Sequence, residues 1–284
     1  MTMELKQARL PQGTIDYREQ GPPGGEPILF VHGLLVNGLL WRKVTPQLAA
    51  DGFRTIVPDW PLGSHTQPME PGADLSIPGV ARIVDAFMEA IGLEDVTIVG
   101  NDTGGAITQV VCAEHPKRIA RLVLTNCDAY ENFPPRAFKG LMVLPKIPGA
   151  MWEFAQLSRI KAIPRRIFKL LQNAPVDPEV LESFVRPAIR SAEIRRDVKK
   201  VMVSVDAAHT LGAAAKLRSF NRPALIAWGA DDRFFALKWA ERLARDLPDA
   251  RLVPIEGAKT FVAEDAPERL AGLIAGFMRE TPAS

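Results

Sequence analysis

The chain of 284 residues is 47% hydrophobic and 24% charged, the proportions of an ordinary compact protein. They exclude a disordered chain, a collagen-like fibre and a small disulfide scaffold. Its 35 Lys and Arg against 33 Asp and Glu leave a net charge of +2, which offers no electrostatic case for nucleic acid.

The start, MTMELKQARLPQG, lacks the apolar stretch of a signal peptide, and GPPGGEP at 21–27 is a turn. ILFVHG at 28–33 is a short apolar run ending in a glycine-bearing loop, as expected of a buried parallel strand, and RTIVPDW at 54–60 and VTIVGNDTGG at 96–105 repeat the form. Between these runs, Leu39 to Asp51 and Gly79 to Ile91 have helical apolar spacing, with Val80, Ile83, Val84, Phe87 and Ile91 on one face. The alternation continues with a helix at 106–115 and a strand, RLVLTNCDA, at 121–129. From 133 to 216 strand signals vanish. Basic helical segments divided by prolines at 145, 148, 164, 175, 178 and 187 replace them, with 15 basic and 7 acidic residues, a net of +8. The alternation resumes with PALIAWGADD at 223–232, a helix from Leu237 to Asp246, RLVPIEG at 251–257 and a helix from Pro267 to about Arg279. This order predicts a doubly wound, mostly parallel α/β sheet formed by 1–132 and 217–284, with a helical cap inserted at 133–216.

No run approaches the ~20 apolar residues of a membrane span. Two cysteines, Cys112 and Cys127, cannot define a disulfide framework and read as buried small apolar residues. These features together predict a cytoplasmic protein. The cap's positive charge could steer an anionic substrate or touch an anionic surface, although dispersed solvation of helix faces explains it more simply.

In a doubly wound sheet, ligands gather beyond the carboxyl ends of the strands. The sharpest feature there is Gly100-Asn101-Asp102-Thr103-Gly104-Gly105, small residues on both sides of a candidate nucleophile at a strand-to-helix turn. At this point the chain resembles the α/β-hydrolase superfamily, and within it the branch with an aspartate nucleophile that includes haloalkane dehalogenases and epoxide hydrolases. His32-Gly33-Leu34 looks like the oxyanion loop, and the stretch from His32 to Val44, with Leu40-Trp41-Arg42 near its end, resembles the dehalogenase pattern. Trp228-Gly229-Ala230-Asp231-Asp232 resembles the loop that carries the acid of a triad, with Asp232 in the acid's position.

The resemblance implies that Asp102 attacks an electrophilic carbon to form a covalent ester, and that a histidine oriented by Asp232 activates water to hydrolyse it. The N–H groups of Leu34 and Thr103 would hold the oxyanion, and His32 and Trp41 would belong to the same loop and binding region. With an ordinary pKa, Asp102 would be ionised at neutral pH. The histidine itself is missing. The segment Gly257-Ala258-Lys259-Thr260-Phe261 leads to Glu264-Asp265-Ala266-Pro267 as in the family, but with Thr260 where the base belongs. Of the four histidines, His65, in the loop after the 54–60 strand, and His209, where the cap returns to the sheet, are the two possible replacement bases. His115 looks like an exposed helix end.

Other departures bear on substrate. Thr103 follows the nucleophile where dehalogenases usually have Trp, and Leu34 also lacks a donor side chain, so the halide site looks absent. The only tyrosines, Tyr17 and Tyr130, lie outside the cap, so the usual cap tyrosines for epoxide opening are missing too. Carboxylate attack on an ordinary ester would give a high-energy anhydride. Asp128 and Asp231, at strand ends, could be secondary carboxylates, with loop solvation the simpler reading. The expectation is a hydrolase-like enzyme acting through Asp102 on a small, mostly apolar molecule with an incomplete triad. The alternative is a ligand-binding protein, lyase or isomerase in the same fold. Neither calls for a metal or cofactor, and the only expected partner is a small-molecule substrate, with no nucleic acid and no membrane.

Overall fold

The computed structural model describes residues 5–282. Eight strands form one sheet: β1 (Leu5–Leu10), β2 (Gly13–Gln20), β3 (Pro27–Val31), β4 (Arg54–Pro58), β5 (Val96–Asp102), β6 (Ile119–Cys127), β7 (Ala224–Gly229) and β8 (Ala250–Ile255). Their order is β1-β2-β4-β3-β5-β6-β7-β8. β1 and β2 pair with antiparallel neighbours and the rest are parallel. The β1-β2 hairpin lies at one edge; the parallel part starts at β3 in the middle, steps to β4 on one side and then reverses to β5 on the other, which leaves the ends of β3 and β5 beside each other where a ligand crevice forms.

The inner parallel strands are mostly apolar because helices cover both faces. β3, β5, β6 and β7 are almost wholly buried. On one face lie α2 (Ile77–Ala90) and α3 (Thr103–Glu114), and on the other α1 (Thr45–Ala50). The expected helix from Leu39 to Asp51 is split. A 3-10 turn at Gly38–Trp41, capped by the Asn37 side chain, comes before α1, which has Pro46 in its first turn.

Between β6 and β7 the chain is entirely helical: 3-10 turns at Arg136–Phe138 and Leu141–Lys146, then α4 (Ala150–Leu157), α5 (Ala162–Leu171), α6 (Pro178–Arg190), α7 (Ala192–Val203) and α8 (Ala207–Leu217). The last of these does not overlie the sheet's edge. Ala213, Ala214 and Leu217 of α8 join the core cluster on the α2 and α3 side, and α8 packs on α3. The chain ends with α9 (Leu237–Asp246), the short α10 (Val262–Asp265) and α11 (Pro267–Glu280), the last against the α1 face.

The N-terminal hairpin β1-β2 was not foreseen. Its strands carry Lys6, Gln7, Arg9, Arg18 and Glu19 on solvated positions, so the pair has no continuous apolar run, although Ile15 and Tyr17 alternate into the core.

One contact fixes how closely α3 approaches the sheet. A Cβ at Gly104 would lie 2.3 Å from the His32 carbonyl oxygen and 2.4 Å from that of Val31. Backbone cannot yield there, so Gly104→Ala is expected to destabilise the fold by about 1–3 kcal/mol. Urea denaturation of the two proteins measures the difference, and an unchanged midpoint would mean that β3 and α3 can separate.

Candidate active site

β5 ends and α3 begins at Asp102, whose backbone stands at φ 53°, ψ −133°. A non-glycine residue is strained there by about 1–3 kcal/mol, and the turn directs its side chain at the loop after β3. The N–H of Leu34 donates to Asp102 Oδ2 at 3.2 Å, and the N–H of Thr103 also bonds the carboxylate. Gly33 makes the approach possible, because a Cβ at that position would sit 2.1 Å from the same oxygen.

Above this carboxyl lies a cavity of about 340 Å³ between the sheet's edge and the cap. Asp102, Thr103 and Asp128 supply its polar floor, Phe133, Phe154, Phe168, Phe184 and Phe261 are among its apolar walls, and Arg195 of α7 is the only cation in the lining. The Arg195 guanidinium donates to the carbonyls of Ala188 and Ile189. No histidine, tryptophan, asparagine or glutamine lines the cavity among the described residues.

Asp128, for which loop solvation was the simpler expectation, is only 2% exposed. The reason is its place directly after β6, next to the elbow. Its N–H donates to the Asp102 carbonyl at 3.3 Å, and Thr103 Oγ1 donates to its Oδ2 at 3.2 Å. Its Oδ1 is buried with no partner among the described residues. Asp231, by contrast, is exposed. Burial dominates the acid chemistry of the floor. It pushes Asp102 up to about 7 against the lowering effect of the Thr103 and Leu34 N–H groups. It raises Asp128 well above the usual carboxylate range, with the Asp102 charge adding to the shift. Two carboxyls on one apolar cavity do not both ionise at neutral pH, so the floor retains a proton. The expectation of a freely ionised Asp102 is corrected accordingly.

Asp232 and Thr260 meet directly. Thr260 Oγ1 donates to Asp232 Oδ2 at 2.8 Å, and Asn126 Nδ2 donates to the same oxygen at 3.0 Å. Asp232 Oδ1 accepts from the N–H groups of Phe234 and Phe235. Asn101, the residue before Asp102, donates to the Thr260 carbonyl at 2.7 Å. The threonine thus occupies a fully buried, satisfied position beside the acid, and neither residue reaches the cavity surface. Asn101 and Asn126 were not anticipated in these roles, and Asp128 only as the lesser of two readings, a secondary carboxylate. The signal was the polar stretch Thr125-Asn126-Cys127-Asp128 at the carboxyl end of an otherwise apolar strand.

Four other candidates lie away from the cavity. His65 is held under the cap, its Nε2 3.3 Å from Asp197 Oδ2 and its Nδ1 accepting from the Gly63 N–H. His209 faces the Ser204 carbonyl at 3.1 Å. His65 is committed to Asp197 of the cap and His209 to the Ser204 carbonyl, and neither lines the cavity, so neither is positioned as a replacement base. His32 accepts the Trp60 N–H on Nε2 at 2.8 Å and bonds the Gly33 carbonyl through Nδ1. Burial drives its pKa down to about 3, so it is a neutral brace for the loop that carries Leu34. Trp41 packs on Phe30, buried and outside the cavity lining.

The chain belongs to the alpha/beta hydrolase fold family, whose profile matches residues 26–267. Within it, the chain has haloalkane dehalogenase-like relatives. It is 30% identical over 270 residues to haloalkane dehalogenase 2 of Mycobacterium tuberculosis, covering 93% of this chain and 91% of that one. It is 26% identical over 286 residues to the cis-3-alkyl-4-alkyloxetan-2-one decarboxylase of Xanthomonas campestris, covering 94% and 93%. The solved haloalkane dehalogenase DbeA from Bradyrhizobium elkani superposes with a TM-score of 0.83 at 19% identity over 99% of both chains, a likeness of fold. No helix among the described residues is long and apolar enough to cross a membrane.

The raised Asp102 pKa has a stability consequence. A carboxyl held neutral by the fold supports the native state below its unfolded pKa of about 4, and that support is lost as the pH rises through the folded value, here about 7. Asp102→Asn, which stays neutral, is expected to gain stability over the native protein across this window by up to about 1.4 kcal/mol per pH unit. The gain levels off above it. Urea unfolding of both proteins at several pH values gives the difference, and a pH-independent difference would contradict the shift.

Proposed function

We propose that the protein is a hydrolase-type enzyme in which Asp102 attacks a small, mostly apolar electrophile, and in which Asp128 moves the protons that a histidine moves in a complete triad. The observation that carries the reading is the Asp102 carboxyl on the cavity floor, held by the Leu34 and Thr103 N–H groups beside a second buried carboxyl. A leaving halide needs N–H donors, and no tryptophan or asparagine faces the cavity among the described residues. The name of the mycobacterial relative therefore does not carry over to substrate. A leaving oxygen needs a proton, which a neutral Asp128 can give, so the favoured substrate class is a strained cyclic ether.

In the first step an Asp102 oxygen bonds to a ring carbon, the ring C–O bond breaks, and the released oxygen takes the Asp128 proton. This leaves a hydroxyalkyl ester on Asp102 and a carboxylate on Asp128. In the second, Asp128 takes a proton from water, whose oxygen adds to the ester carbonyl while the Leu34 and Thr103 N–H groups hold the oxyanion. Collapse expels the alkoxide, which receives the proton from Asp128. The Asp102 carboxyl then returns its own proton to Asp128, for a net consumption of one water and release of a diol.

Thr260 supports a second, non-hydrolytic reading. The Xanthomonas campestris relative is named for decarboxylating an oxetan-2-one, and such a ring needs neither water nor base. Asp102 would attack the carbon bearing the ring oxygen and free a carboxylate. Loss of CO2 would then form the alkene as the Asp102 ester bond breaks.

Intact-mass spectrometry and product analysis after incubation with terminal epoxides, alkyl bromides and a dialkyl oxetan-2-one test both readings. Expected are a slowly cleared epoxide adduct, absent in Asp102→Asn, ring opening slowed about 10²- to 10⁴-fold in Asp128→Asn, and faster clearance in Thr260→His. Alkene and CO2 from the oxetan-2-one would select the second reading. Full turnover by Asp102→Asn would overturn both.

A further inference from the structure

Exposed apolar side chains are concentrated in the first half of the cap. Of eleven large hydrophobic residues exposed among the described residues, eight lie between Val143 and Leu170, including Trp152 (56% exposed), Ile160 (55%) and Leu170 (57%). In α5 the pattern is two-sided. Pro164 and Phe168 point inward, whereas Ile163, Ile167 and Leu170, at i, i+4 and i+7, form a second apolar stripe that the protein leaves uncovered. Soluble proteins rarely leave so many large apolar groups together without a partner.

The same stretch holds a charge excess. Eight Lys and Arg between Arg136 and Lys169 face a single acid, Glu153, and all nine are exposed. None of the eight enters an ion pair among the described residues, whereas most other basic side chains of the core find carboxylates. Most of the cap's charge excess therefore lies in the same stretch of chain as the exposed apolar side chains, interleaved with them along the sequence. The cavity also reaches this stretch: Ile167 and Leu170 are both exposed and part of the cavity lining.

From the apolar stripe, the unpaired cations and the cavity mouth between them, we infer that residues 136–170 form a docking surface for a lipid bilayer with anionic headgroups. The apolar side chains enter the headgroup boundary and the Lys and Arg meet the phosphates, two contributions that together hold a peripheral protein where one alone is marginal. A second copy of the chain is a poorer occupant, since a twofold contact would press two surfaces of the same strong positive charge together. Docked in this way, the cavity opens toward the bilayer rather than toward water, the arrangement suited to an apolar substrate that partitions into lipid. The docking does not rest on the chemistry proposed for Asp102, and the two can fail separately.

Flotation of the purified full chain with phosphatidylcholine vesicles, and with vesicles of equimolar phosphatidylcholine and phosphatidylglycerol, tests the inference. Strong flotation with the anionic vesicles only, falling steeply as salt rises, is expected. At about fivefold per charge, Arg165→Gln/Arg166→Gln/Lys169→Gln should weaken binding on the order of 100-fold. Trp152→Ser/Ile160→Ser should weaken it at all salt concentrations, and Asp102→Asn should bind as the native protein does. Circular dichroism and thermal melting establish that the variants fold. Equal flotation with both vesicles, none with either, or unaltered binding by the folded triple variant would overturn the proposal. So would size-exclusion evidence of a dimer that Trp152→Ser/Ile160→Ser dissociates, which would assign the face to a second copy.

Discussion

The left-handed turn at Asp102 is the constraint on which the rest of the molecule depends. It folds a carboxylate back against the loop after β3, which leaves no room for a side chain at Gly33, and the close approach of α3 to the carbonyls of Val31 and His32 leaves none at Gly104, the helix's second residue. The strain of the turn is held by parallel pairing on both sides, with Val31 opposite Gly100 and Asp102 opposite Cys127. His32 contributes from below. With Nε2 accepting from Trp60 and Nδ1 bonded to Gly33, it stops the loop after β3 from relaxing away from the carboxylate. A residue chosen for its titration would be useless in that position, since burial keeps this one neutral.

Burial of the turn also sets the electrostatics. An isolated carboxylate in an apolar cavity would be costly, and the fold supplies only backbone N–H groups and a threonine hydroxyl to offset it. The outcome is a floor on which two carboxyls keep hold of a proton, a different solution from a charged aspartate facing an imidazole. The neighbouring acid, Asp232, is also pushed up by burial, but it has a full set of donors to offset it. Asp232 accepts from two backbone N–H groups, an amide and the Thr260 hydroxyl, so its partners are complete without a histidine. The threonine's single proton is committed to Asp232, and a hydroxyl is far too weak a base to pass activation on to water. Asp232 therefore serves a buried hydrogen-bond network of its own, closed by Asn126 and Thr260.

Much of this was legible from residue order. The parallel strands could be read because burial on both faces makes them continuous apolar runs, and the elbow because close approach demands small residues at fixed positions around Asp102. The edge hairpin could not be read so directly, since half of its side chains face water and its apolar positions are too few to stand out. Asp128 was misjudged for a reason internal to sequence reading. A carboxylate after a strand is ordinarily solvated, and only the packing of β6 against the elbow, with a cap above, removes it from water. His65 and His209 were plausible because chain order places both near the site, but side-chain direction is invisible at that stage, and one points to Asp197 of the cap and the other to the Ser204 carbonyl. The position of α8, in register with the cap by charge and with the core by packing, has the same origin: its alanine face is too plain to reveal which layer it joins.

The cap is joined to the core unevenly, and the unevenness follows the division of its surface. Its second half is tied down by directional bonds: Asp197 of α7 accepts from the Met69 N–H and from His65, the Ser64 hydroxyl donates to the Phe184 carbonyl, and Asn37 reaches Ser183. From Arg136 to Leu170, the side-chain hydrogen bonds among the described residues stay within the segment, as that of Ser158 to the Phe154 carbonyl does. That half rests on the core through apolar contact alone, which is non-directional and tolerates sliding, whereas geometry-dependent bonds do not. Such a segment belongs to the less stable end of a fold's local opening energies. The half that carries Arg195 and the deep wall of the cavity is thus fixed relative to Asp102, and the half that carries the unpaired cations and the cavity mouth is the one free to adjust. A fixed floor preserves the strained turn and its proton, and an adjustable mouth admits bulky apolar molecules without disturbing either.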